Sequence, residues 1–338
     1  MPQQPGSDVP ELTPVVDPTS PHPPSQRVDA RLSRRRRASA RPPGASRWRA
    51  QSNHPAIWTP WLYMLPGLAL FAIFFVWPAA QAMQLAFYKY NGISAPVMIG
   101  TENFERMFND PRFSEALVNS FLFLAGMIPL AVAVPLLLAV LVNQKIPGIQ
   151  AFRLAIVMPV VVSMVAVAVT WKYVLDAQGI LSWIVTSVGI ADEPTAWLLS
   201  SDWALPCLII IEGWKSMGIY MMIYLAGLQA IPADLYEAAQ IDGAGIRHRL
   251  MKITVPLMIP YVAVTSTMAM LDAMQVFTSV YVMTRGGPQD STMTLGYYVW
   301  SKAFEDYEFG YANAIALVLW AIMIILAVVN YQITKERR

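Results

Sequence analysis

Six stretches, at about 60–83, 116–143, 154–175, 203–231, 253–284 and 309–334, contain almost no charge, and the only ionisable acids or bases inside them are Lys172, Glu212, Lys215 and Asp272. Each is at least the ~20 residues a helix needs to cross a ~30 Å hydrocarbon layer. A chain of 338 residues that is 56% hydrophobic and 14% charged is not a soluble globule. An outer-membrane barrel is also excluded, since its strands would alternate apolar and polar residues over segments of about ten. The expected fold is therefore an all-α polytopic membrane protein with six transmembrane helices. Ala80-Gln81-Ala82 imitates a signal-peptidase site. The apolar run before it is longer than a signal peptide's, and the basic segment before that is far too long, so the first helix is read as an uncleaved span. Cys207, the single cysteine, can form neither an intrachain disulfide nor a cysteine-cluster metal site.

Residues 1–56 are set apart from 57–338 by composition, with ten prolines by Pro43 and nine arginines between Arg27 and Arg49. Such a segment cannot bury a core and is expected to be disordered. It could serve as a nucleic-acid arm or a polybasic lipid tether. Its place directly before a membrane helix reads it instead as a topogenic cytoplasmic tail, with the bilayer and no nucleic acid as partner. The rest of the positive charge agrees. Of the 24 lysines and arginines, 17 fall in the tail, in the loops holding Lys145 and Arg247, and at the C-terminus. Five (Lys89, Arg106, Arg112, Arg285 and Lys302) fall on the opposite side. Both termini are thus expected in the cytoplasm.

The loop between the fourth and fifth spans reads Ile231-Pro-Ala-Asp-Leu-Tyr-Glu-Ala-Ala-Gln-Ile-Asp-Gly-Ala-Gly245. It predicts a helix of about nine residues, capped by Asp234 with Glu237 three residues on, and stopped by Gly243 and Gly245. Such a helix is marginal alone, so something must hold it. Leu235, Ala238, Ala239 and Ile241 give it a small apolar face. On these features the loop is equally a docking element or a turn helix lying on the bilayer.

Glu237-Ala-Ala-x-x-Asp242-Gly243-Ala244, followed by Ile253, Pro256 and Pro260, resembles the cytoplasmic signature of bacterial ATP-binding-cassette (ABC) importer permeases. Trp214-Lys215, Gly218 and Leu225 to Pro232 precede it as in the carbohydrate branch. Thr284-Arg-Gly-Gly-Pro288, Ala303-Phe304 and Gly310-Tyr-Ala-Asn-Ala314 resemble the maltose-type first permease subunit. One departure is that Phe277 is followed by Thr278 where the family commonly has Asp or Asn, and Asp272, five residues upstream of that Phe, is no simple replacement. The resemblance implies a multi-pass permease subunit of the bacterial inner membrane that moves a sugar or sugar-like solute by alternating access. It implies a coupling loop made of Glu237, Ala238, Ala239, Asp242, Gly243, Ala244 and Gly245. The implied partners are a second homologous permease, two copies of a cytoplasmic ATPase and an extracytoplasmic sugar-binding protein.

Charged groups at membrane depth are costly and therefore candidates for function. Glu212 and Lys215, at i and i+3, can pair on one helix face. Asp272 has no partner near in sequence and should face protein or water. With Tyr220, Asn313 and Trp320, which can supply aromatic faces and amide groups to a sugar, Glu212 and Asp272 make up the candidate substrate pathway. The acidic loop 176–203 holds an amphipathic piece, 180–188, suited to the membrane interface. The chain lacks the G-x-x-x-x-G-K-[ST] sequence that cradles nucleotide phosphates, so energy must come from another chain. His22, His54 and His248 lie in the tail or loops, and no His or Cys cluster marks a metal. No catalytic residue and no cofactor are expected. The alternative reading, an ATP-independent secondary transporter or channel, would call for inverted repeats, and the two halves show no convincing one.

Overall fold

The computed structural model describes residues 58–144 and 146–335. The tail expected over 1–56, Lys145 and residues 336–338 lie outside the described residues. The chain divides into compact units at Pro66/Gly67, and all packing described below lies within Gly67–Arg338.

The first long helix comprises α1 (Trp58–Phe71), a π turn (Ala72–Val76) and α2 (Trp77–Leu85). Pro78 lies two residues past that turn, and its ring crowds the carbonyl four residues back, at Phe74, so the local widening accommodates it. A short antiparallel ribbon follows, β1 (Tyr88–Lys89) with β2 (Val97–Met98), pairing Tyr88 with Met98. Next come α3 (Glu102–Phe108) and α4 (Pro111–Val142). At 32 residues, α4 is about 48 Å long and overshoots the hydrocarbon layer. It starts five residues before the expected span because Asp110 caps it, accepting from the Arg112 N–H at 3.0 Å, with Pro111 at the first helical position.

The third span, expected to run straight over 154–175, is instead two helices, α5 (Ile149–Val161) and α6 (Met164–Val174), bent by 99°. Val162 and Ser163 are extended between them. Pro159 lacks the N–H of an interior helical residue, and the β-branched run Val160 to Val162 follows it, which together give the chain its exit. α5 then packs on α8, and α6 on α12. The span number is thus five long apolar helices plus this bent pair, or six if the pair is one span.

α7 (Ile180–Ser187) occupies the loop expected to hold an amphipathic piece. α8 (Ala204–Ala230) is the packing centre. Leu208, Ile211, Tyr220, Met221 and Tyr224 are buried along it, and its main neighbour is α4. Gly218 permits the α5 contact, since a Cβ there would stand 2.6 Å from the Ile156 carbonyl oxygen. After α9 (Ala233–Ile241) and α10 (Ile246–Arg249), a π turn (Leu250–Thr254) leads into α11 (Val255–Met274). As in the first long helix, a proline, Pro256, lies two residues past the turn. The expected span 253–284 is broken at Gln275–Phe277, and α12 (Thr278–Met283) follows. α13 (Leu295–Trp300), a third π turn (Ser301–Glu305) and α14 (Phe309–Lys335) complete the described chain. Asn330 joins α14 to α11, its amide donating to the Ala263 carbonyl at 3.0 Å and the Thr267 hydroxyl at 2.7 Å.

Candidate functional site

The loop helix forms at the predicted length, nine residues. Its start differs from expectation: the N-cap is Pro232, and Asp234 sits in the first turn without capping. Pro232 is extended, so the helix begins as soon as the proline is passed. Asp234 then contributes through the positive end of the helix, not through a cap hydrogen bond. The stop follows from Gly243, whose φ of +76° costs least without a Cβ. Its N–H donates to Gln240 O at 3.1 Å and that of Ala244 to Ala239 O at 2.8 Å, the paired bonds of a Schellman end. Gly245 has a different role: it is extended and precedes α10.

No residue of α9 is buried. Tyr236 and Ala239 turn inward and are half-buried, whereas Glu237, Ala238 and Asp242 are exposed. Leu235 and Ile241, 44% and 86% exposed, leave apolar surface facing away from the helix bundle. Ala239 therefore does not share the outward face with Leu235, Ala238 and Ile241.

Inside the spans, the expected Glu212–Lys215 pair does not form: among the described residues no ion pair joins them. Glu212 instead accepts from the Ser279 hydroxyl of α12 at 2.6 Å. Asp272, which sequence left without a partner, accepts from the buried Tyr220 hydroxyl at 2.8 Å while its own residue stays exposed. Tyr220 and Glu212 lie eight residues apart on α8, about two turns, so two of the five candidates are joined and a third is on the same helix. Asn313 is turned to its own helix, donating to Phe309 O at 2.9 Å, and Trp320 is 52% exposed on α14. Neither joins the Tyr220–Asp272 pair. Ser279 carried no warning in the sequence, because a serine 67 residues from its partner has no local signature.

A second polar cluster, also missed, lies at the end of the bundle away from α9. Asp110 accepts from Tyr298 at 2.5 Å and from Tyr311 at 2.6 Å. Arg106 grips Glu308 with two bonds of 2.9 Å, and Arg112 reaches Asp290 at 3.0 Å. Asn119 donates to the carbonyls of Asp290 and Met293, both at 3.0 Å, holding the loop after the Gly-Gly-Pro turn onto α4. Burial pushes the Asp110 carboxyl up, but the hydrogen bonds from Tyr298 and Tyr311 outweigh it and hold it below the ordinary carboxylate range. Burial first, and then the bond to Asp110, push the Tyr298 phenol well above its usual value. An Asp-Pro pair before an apolar run is a readable helix start, but the tyrosines lie 188 and 201 residues away.

Residues 92–338 match the family described as binding-protein-dependent transport system inner membrane component. The lactose transport system permease protein LacF of Rhizobium radiobacter is 32% identical over 282 residues, covering 82% of this chain and 94% of that protein. The sulfoquinovosyl glycerol transport system permease protein SmoG of Agrobacterium fabrum is 30% identical over 295 residues, covering 83% and 94%. Among solved structures, a bacterial ABC transporter involved in import of the acidic polysaccharide alginate shares the fold, with a TM-score of 0.72 at 21% identity, covering 82% of this chain and 96% of that one. The chain belongs to this family of inner-membrane transport components. It is a multi-pass permease subunit of an ABC importer and not an enzyme.

Proposed function

From this membership we propose that the chain forms half of the translocation pathway for a sugar or sugar-like solute, beside a second homologous permease. Two copies of a cytoplasmic ATPase drive it, and an extracytoplasmic binding protein delivers the solute. The kinship with the lactose permease LacF and the sulfoquinovosyl glycerol permease SmoG supports the sugar class. A second fold neighbour, a bacterial alginate ABC transporter in complex with an alginate pentasaccharide-bound periplasmic protein, supports the delivery partner. The excess of basic residues in the tail, the α9 loop and the C-terminus supports cytoplasmic termini, with α9 on the same side.

The observation that carries this reading is α9 itself. A nine-residue helix with no buried residue is too short to be stable alone, yet it is built with a defined stop and turns Leu235, Ala238 and Ile241 outward. A docking partner accounts for all three properties. Closure of the ATPase pair around nucleotide would then move α9, and the spans would rock between inward and outward access. Asp272, held by Tyr220, and Glu212, held by Ser279, are the polar groups we assign to the solute path, with Asn313 and Trp320 contributing from α14. The test is uptake by a deletion strain complemented with the wild-type gene and supplied with a panel of mono- and oligosaccharides. Restored uptake of at least one sugar supports the class, and restoration only of a non-carbohydrate solute contradicts it.

A further inference from the structure

Force delivered to α9 has to reach the spans through some contact, and the structure offers a specific one. Tyr236, on the inward side of α9, shares a hydrogen bond of 2.9 Å with the Thr254 hydroxyl. This is the only side-chain hydrogen bond from α9 to a spanning segment among the described residues. Thr254 is buried, 6% exposed, and is the last residue of the π turn Leu250–Thr254 that opens the fifth span. A π turn carries an extra residue in its ring of hydrogen bonds, here beside the ring of Pro256, so the span enters the bundle through a break in its α-helical ladder, and such turns gather at functional sites. Beside the bond lies an open recess of about 210 Å³, whose lining includes Val140 and Asn143 from the end of α4, Leu228 from α8, and Arg249. The recess opens to the surface, so the phenol ring has room to move where a packed core would lock it.

We propose that the Tyr236–Thr254 hydrogen bond is the joint that passes motion of the docking helix to the fifth span, entering it at the π turn, with the open recess as its clearance. Tyr236 is thus a positioning residue, acting through Thr254 and touching neither nucleotide nor solute. The backbone links at Ile231–Pro232 and Gly243–Gly245 also connect α9 to its neighbours, but the extended Ile231 and Pro232 and the positive-φ Gly243 make them bends and not rigid rods. The inference rests on α9 being the docking helix.

The experiment uses the complete complex, isolated from native membranes through a tag on this chain and placed in nanodiscs, in a Cys207→Ala background. Gln275→Cys, at the exposed break between α11 and α12, reports movement of the fifth span through its rate of reaction with a maleimide, with and without ATP and vanadate. ATP hydrolysis is measured on the same samples. The expected result is a nucleotide-dependent rate in the reference complex. That dependence should fall roughly fivefold, the net worth of one hydrogen bond, in Tyr236→Phe and Thr254→Val, while Thr254→Ser keeps it and hydrolysis continues in all three. A merely structural role would not separate hydrolysis from movement, and rescue by serine assigns the effect to the hydroxyl and not to the methyl group. An undiminished nucleotide dependence in Tyr236→Phe overturns the proposal, as does a reference complex whose Gln275→Cys rate ignores nucleotide. Loss of hydrolysis together with movement in Tyr236→Phe and Thr254→Val also overturns it. Absence of any ATPase from the isolated complex would instead contradict the docking reading on which the joint rests.

Discussion

Asp272 and Lys215 are both ionisable groups in apolar helices, and the structure gives them different surroundings. Asp272 is held by one hydroxyl and leaves its remaining oxygen capacity to whatever occupies the exposed side. Lys215 has no ion pair among the described residues, and Glu212, its expected partner, is engaged by Ser279. Asp272→Asn keeps shape and the ability to accept from Tyr220 but removes charge, so sugar uptake is expected to fall about tenfold at equal expression, more than in Lys215→Met. Uptake equal to wild type in Asp272→Asn would assign the carboxylate to helix packing. Asp110 makes the contrasting case, a carboxylate with structural work. It caps α4 and accepts two phenols, so Asp110→Ala should destabilise the purified protein by about 1–2 kcal/mol at neutral pH in thermal unfolding. Its folded pKa is depressed, so this contribution is complete above the unfolded carboxylate value and is lost as pH falls through the lower folded one. The gap between wild type and variant should therefore close only below about pH 4.

At the level of elements, Gly243 separates strain from docking. A Cβ at this position would meet nothing within 4 Å, and Asp is among the residues that best tolerate positive φ. Gly243→Asp should therefore cost the isolated chain only about 1 kcal/mol, yet it places a charge beside the outward face of α9. Uptake is expected to drop at least about tenfold with membrane levels unchanged, and Gly243→Asn, equally at ease in that conformation but neutral, should lose much less. Equal uptake by the Asp variant and wild type would take α9 out of the power input. Glu237→Lys, which reverses an exposed charge on the same helix, should behave like Gly243→Asp. The stop at Gly243 is readable from sequence because glycine is the usual residue in that conformation just past a helix end. The start at Asp234 is not, since both Pro232 and an acid two residues later are compatible with a helix beginning there. The apolar spans are readable because crossing a bilayer demands some twenty consecutive residues. The bend at Val162–Ser163 is hidden, because Pro159 does not by itself mark a break: α4 carries Pro129 and Pro135 and stays continuous. The Tyr220–Asp272 and Ser279–Glu212 pairs are hidden by separations of 52 and 67 residues.

At the scale of the whole molecule, the proposed power input at α9, the proposed joint at Thr254 and the proposed polar path between α8, α11 and α12 make one line of transmission. The topology predicts that a cysteine at Ile190 is labelled by an impermeant reagent in intact cells and that one at Lys335 is not. Labelling at Lys335 would reverse the orientation. The central claim is that a separate ATPase seats on α9, and it is tested most directly at Ala238, an exposed residue of that helix's outward face. Ala238→Cys in a Cys207→Ala background, treated with a short bifunctional thiol-to-amine reagent in native membranes, should give one principal product. Mass spectrometry should identify its second chain as a protein carrying the G-x-x-x-x-G-K-[ST] nucleotide loop, and ATP should change its yield. A chain that restores uptake in the same cells yet forms no such product from Ala238→Cys would contradict the claim.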